Sequence, residues 1–221
     1  MPGRFLRKVS AIFNRSPTAS ELIAILKNPI CHSDDVNRGK HLRLVTKLET
    51  FLRKNTIIDP TVDHLDRFLK ENNQEFSQKW VKWLSIFLEK FQNEGQQELG
   101  YWLCEHISNA EYLAVGCDPL EEKTSGSLWQ NDAGEMAKKI VDNIFAVASS
   151  APSISSSDYN KMLNTIFSSY EVRNSHISHD NILIWGTLEA RANGTDLLIL
   201  SGLNEGIWPA QPEPDQWMNR K

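Results

Sequence analysis

From Leu22 to Phe167 the apolar residues recur at steps of three and four, a spacing that stacks them along one side of an α-helix and leaves little room for strands. Ser16-Pro17-Thr18 followed by Glu21 predicts the first helix start, with Pro17 in its opening turn and Thr18 and Glu21 as a capping box. Leu22, Ile23, Ile25 and Leu26 form the buried face, and Asn28-Pro29 ends it. A second helix is predicted from Val36 to Lys54 on Leu44, Val45, Leu48, Phe51 and Leu52, and a third opens at Asp59-Pro60. Trp80, Trp83, Leu84, Phe87, Leu88 and Phe91 mark a fourth, stopped by Gly95, and Leu99 to Ala110 a fifth, ending near Gly116. Residues 117–131 read as a loop. Helix resumes around Met136 to Phe145 and again around Tyr159 to Phe167, across a Ser-rich break that reads as an interhelical connection.

Beyond Val172 the pattern changes. Ile182–Trp185 and Leu197–Leu200 are nearly continuous apolar runs separated by a polar loop containing Gly194. Side chains that are apolar at successive positions need cover on both faces, as in the strands of a parallel sheet flanked by helices. Two strands do not make a stable sheet, so the rest would lie outside this chain or in another molecule. The second run leads into Gly202-Leu203-Asn204-Glu205-Gly206 and Ile207-Trp208-Pro209. Gly202 and Gly206 permit positive φ beside the strand end, Pro209 closes the turn, and Asn204 and Glu205 present polar groups where open α/β sheets bind ligands. The fold class expected is mainly α with a short C-terminal α/β part: a helical region over residues 1–175, then a strand-loop-strand segment over 176–221 whose two strands run parallel.

Few catalytic constellations survive inspection. Phosphate loops of the G-x-x-x-x-G-K-[ST] and G-x-G-x-x-G types are absent, and Ser201 lacks a nucleophile elbow. His176 and His179 have no third ligand, and the Glu121-Glu122-Lys123 triplet sits in a loop without an upstream Asp. Cys31, Cys104 and Cys117 show no C-x-x-C spacing, which fits a reducing cytoplasm, and no apolar run is long enough for a membrane span. The formal charge of −4 argues against a dedicated nucleic-acid coat protein but not against a local basic stripe. Such a stripe exists at Arg38, Lys40, Arg43 and Lys47, beside His41; it reads either as a phosphate-docking surface or as a solvated helix face.

Residues 179–221 resemble AddB, the helicase-like subunit of AddAB helicase–nucleases, in its alphaproteobacterial form. The resemblance is carried by Gly186, Leu188-Glu189-Ala190-Arg191, Asp196, the Gly202–Gly206 turn, Trp208-Pro209 and Asp215-Gln216-Trp217-Met218-Asn219-Arg220. Residues 22–30, Arg38, His41-Leu42 and the segment Leu48–Asn55 are similar to it more loosely. It implies a helical insertion in the second motor domain of a superfamily 1 helicase, after which the chain returns to a RecA-like sheet. The two apolar runs would be strands of that incomplete sheet, with Glu189 and Arg191 in the loop between them. Subunits of this family are several times longer, so the resemblance implies an internal fragment without a catalytic site. The implied function is processing of DNA double-strand ends for recombination, with DNA and an AddA-like helicase–nuclease subunit as partners. ATP and Mg²⁺ are implied only for the parent complex. DNA contact or an interdomain role is expected of Arg191, Glu189, Asn204, Glu205, Arg38, Arg43 and Lys47. The competing expectation is a helical protein–protein module whose terminal strands complete a partner's sheet.

Overall fold

The computed structural model describes residues 2–12, 15–33, 37–72, 74–90, 95–117 and 125–170, and in the tail 182–186, 189–191, 194–202 and 204. The chain divides into two compact units, Met1–Asn174 and Ser175–Lys221. The first is helical: α1 (Pro2–Ala11), α2 (Ala19–Leu26), α3 (Arg38–Lys54), α4 (Val62–Glu71), α5 (Glu75–Glu89), α6 (Leu99–Val115), α7 (Asn131–Val147) and α8 (Ser156–Ser169).

Local chemistry explains several of these boundaries. At the start of α2 the Thr18 hydroxyl accepts from the Glu21 N–H at 3.4 Å, while the Glu21 carboxylate accepts from the Thr18 N–H at 3.0 Å. The predicted capping box is thus present, although α2 begins at Ala19 and Pro17 lies ahead of its first turn. At α4 a histidine plays the glutamate's part, His64 Nδ1 accepting from the Thr61 N–H at 3.1 Å. Gly116 ends α6 at a φ of +99°, a conformation that L side chains rarely adopt. The Ser-rich break contains a 3₁₀ turn at Ala148–Ser150, an antiparallel bridge between Gln97 and Ile154, and the cap of α8, where Ser155 Oγ accepts from the Asp158 N–H at 3.2 Å. Phe91, expected on the fourth helix, lies outside the described residues, as do residues 118–124 of the loop.

The first helix was not foreseen from the sequence, where residues 1–15 show only scattered apolar positions. In the fold Phe5, Leu6 and Val9 of α1 are buried at 0–1% exposure, and α1 packs against α2, α6, α7 and α8. Burying each such side chain stabilises by roughly 1.5–3 kcal/mol. His106 of α6 joins this junction: its Nε2 donates to the Leu6 carbonyl at 2.9 Å, and its Nδ1 accepts from the Tyr159 hydroxyl of α8 at 2.9 Å. Among the described residues, every residue of the buried hydrophobic core lies from Phe5 to Phe167.

The second unit has no helix longer than a 3₁₀ turn at Glu189–Arg191 among its described residues. Residues 182–186 and 196–200 lie there outside any helix or ladder, with Ile182 65%, Ile184 97%, Leu197 75% and Ile199 78% exposed.

Candidate nucleic-acid interface

The basic run of the sequence belongs to α3. His41, Leu44, Val45, Leu48, Phe51 and Leu52 turn into the core and settle which way the helix faces. His41 secures that orientation with both ring nitrogens: Trp80 Nε1 of α5 donates to Nδ1 at 2.9 Å, and Nε2 donates to the Leu26 carbonyl of α2 at 2.8 Å. His32, held at a φ of +60°, stacks on the His41 ring at 4.4 Å, and its Nε2 accepts from the Cys117 N–H at 3.0 Å. A β-carbon at Gly116 would stand 2.8 Å from the His32 ring, so close packing as well as φ calls for glycine there. A charged helix is thereby clamped from beneath by neutral, hydrogen-bonded rings.

The cations of α3 have separate fates. Arg38 turns onto the end of α2, its guanidinium donating to the carbonyls of Cys31 and, at 3.3 Å, Asn28. The Lys40 ammonium sits 5.5 Å over the Phe76 ring of α5. Arg53 meets Glu49 at 2.6 Å, and Lys27 of α2 meets the same carboxylate at 2.5 Å. The Lys27 hydrogen bond, with Arg53 adding to it, holds the Glu49 carboxyl below its ordinary range. Arg43, Lys47 and Lys54 are exposed and carry no ion pair or hydrogen bond to a described residue. At 3.6 residues per turn these three fall within an arc of about 40°, well separated from Glu49. Lys47 and Lys54 overhang an open groove of about 380 Å³, bounded on the α3 side by Thr46, Thr50, Phe51 and Asn55 and opposite by Glu71 of α4 and by Asn72 just past its end.

Of the site residues expected from the sequence, Arg43 and Lys47 therefore share one open face, while Arg38 has a packing role. Lys54 extends the face, and the seven-residue step from Lys47 could have revealed it. His41 could also have been found, since it continues the three-and-four stripe of α3 one turn N-terminal to Leu44 and Val45. His106 carries the same signal, continuing the stripe of the fifth helix from Trp102 and Leu103 to Ala110; His32 carries none, and only its tertiary neighbours reveal it.

In the tail Glu189 and Arg191 are exposed on the 3₁₀ turn, and Glu189 Oε2 accepts from the Gly186 N–H at 2.5 Å. Among the described residues no carboxylate pairs with Arg191. Gly202 takes a φ of +72°, and the exposed Asn204 returns its N–H to the Gly202 carbonyl at 2.7 Å. Glu205, Gly206 and Pro209 lie outside the described residues, as do His176, His179 and Glu121-Glu122-Lys123. Among the described residues, no group of three or more His, Cys, Asp or Glu converges as a metal site, and no helix is long and apolar enough to cross a membrane. No protein-family model matches the chain, and neither does a curated protein or a solved structure.

Proposed function

We propose that the chain serves the processing of DNA double-strand ends as a noncatalytic part of an AddB-like subunit working beside an AddA-like helicase–nuclease. The observation that carries this reading is the row of residues in the tail: Leu188-Glu189-Ala190-Arg191, Asp196, the Gly202–Gly206 turn and Trp208-Pro209. In this reading residues 182–185 and 196–200 are parallel strands of a RecA-like sheet whose other strands come from the rest of the subunit. The exposure of Ile182, Ile184, Leu197 and Ile199 supports it, because apolar side chains at successive positions need a covering layer on each face. Arg191, exposed on its 3₁₀ turn, is available for a bidentate contact to a phosphate. ATP and Mg²⁺ belong to the parent complex and not to this segment.

The test is Arg191→Ala in the assembled complex with the AddA-like subunit. DNA-end resection should fall while assembly is unchanged; full resection by a stably assembled variant would remove Arg191 from the reading. The same exposed runs also favour the second reading, a helical module that adds its tail to the sheet of an unrelated partner. Light scattering after size exclusion separates the two. A monomer that binds DNA supports the first, and obligate association without DNA binding supports the second.

A further inference from the structure

We infer that the open face of α3 is a sequence-independent contact for the phosphates of duplex DNA, with Arg43, Lys47 and Lys54 as the groups that meet them. The inference rests on the DNA reading above and specifies which form of DNA this helix takes and by which atoms.

Charge is the first argument. Six of the 17 residues of α3 are Arg or Lys against one Glu, a net of +5 in a chain whose formal charge is −4, so the rest of the chain is acidic overall. A basic helix on an acidic molecule concentrates attraction for a polyanion on one face. Availability is the second. Arg38 is held by carbonyls, and Lys40 and Arg53, though exposed, rest on a ring and a carboxylate, whereas Arg43, Lys47 and Lys54 face solvent with no such partner. Reach is the third. Eleven residues separate Arg43 from Lys54, about 16 Å of helix axis, over which a B-form duplex advances about five base pairs, each strand rising about 3.4 Å per phosphate.

The surroundings of these cations favour phosphate contact over base recognition. Single-stranded DNA is held by aromatic platforms on which bases stack. The aromatic ring beside this stripe is Phe51, which is only 6% exposed. The Thr46 and Thr50 hydroxyls donate to the Leu42 and Thr46 carbonyls of their own helix at 3.0 and 2.9 Å. The amide nitrogens of Asn55, on the same side, and of Asn72, across the groove, donate to the Phe51 and Phe68 carbonyls at 2.8 and 3.2 Å. The hydroxyls and one N–H of each amide are thus engaged at home, and positive charge is the larger part of what the face offers a ligand. Glu71, on the far wall, is the one carboxylate among the described residues lining the groove and weakens the attraction.

The experiment is a fluorescence-anisotropy titration of the full chain with a labelled mixed-sequence duplex of about 20 base pairs and the matching single strand, at several salt concentrations. Wild type, an R43E/K47E/K54E variant and Glu71→Gln are compared, with circular dichroism confirming that each is helical. The expected result is preference for the duplex, equal affinity for duplexes of different sequence, and a slope of log K against log salt that is shallower by about 2–3 in the triple variant, near 0.9 for each phosphate contact removed. Glu71→Gln should bind roughly twofold to fivefold more tightly. An unchanged slope in the triple variant, or tighter binding of the single strand, overturns the assignment of this face even if the chain binds DNA. Absence of DNA binding by the wild type at low salt overturns the DNA reading itself.

Discussion

His106 carries the most consequence of any single residue. Burial lowers its pKa from 6.5 to about 4, outweighing the opposite pull of the Leu6 carbonyl. The folded value is the lower one, so the unfolded chain takes up the proton first. The stabilisation is complete above about pH 6.5 and is lost as pH falls towards and through about 4, amounting to about 3 kcal/mol at the acid end. Urea unfolding of the wild type and of His106→Gln across this range checks the sign: the advantage of the wild type at neutral pH should shrink with acid, and a constant difference would contradict it. Gly116 supports a second prediction. Gly116→Ala places a β-carbon 2.8 Å from the His32 ring at a φ of +99°. The expected cost is about 1–3 kcal/mol, read from the shift of the denaturation midpoint.

At the scale of elements, α2 and α3 show how a cap and a clamp divide their work. Thr18→Ala removes one half of the capping box at α2 and should cost about 1 kcal/mol, whereas Thr18→Ser should retain most of the stability. For α3, His41→Ala would leave the Trp80 indole N–H and the Leu26 carbonyl without their partner in the core. A loss of about 2–4 kcal/mol is expected in equilibrium unfolding, with Arg43 and Lys47 unmoved in charge but carried on a less firmly seated helix. The capping box and the apolar stripe of α3 were legible because both are patterns within a dozen consecutive residues. Helix α1 was not, although Phe5, Leu6, Val9 and Ile12 stand at helical steps, because the stripe is a single short one amid basic residues and its burial is decided by α2, α6, α7 and α8.

For the molecule as a whole, the buried core among the described residues runs from Phe5 to Phe167, within the helical unit. A chain ending at Asn174 should therefore unfold cooperatively at the same midpoint as the full chain, followed by far-UV circular dichroism. A collapse of helicity on truncation would show that the helical unit depends on the tail.

What the sequence determined by itself is the helical class, most of the helix boundaries and the change of pattern after Val172, because periodicity, caps and breakers act over one or two turns of chain. It also marked Arg43 and Lys47 as neighbours, four residues being one turn. The tertiary structure decided which cations remain available: Arg38 and Arg43 look alike in the sequence, yet one guanidinium is taken by the end of α2 and the other faces water. It likewise placed His32, His41 and His106 in the core, where each ring is bonded by groups from other segments. Hydrogen bonding and burial are settled by neighbours in space, and those neighbours exist only once the chain has packed.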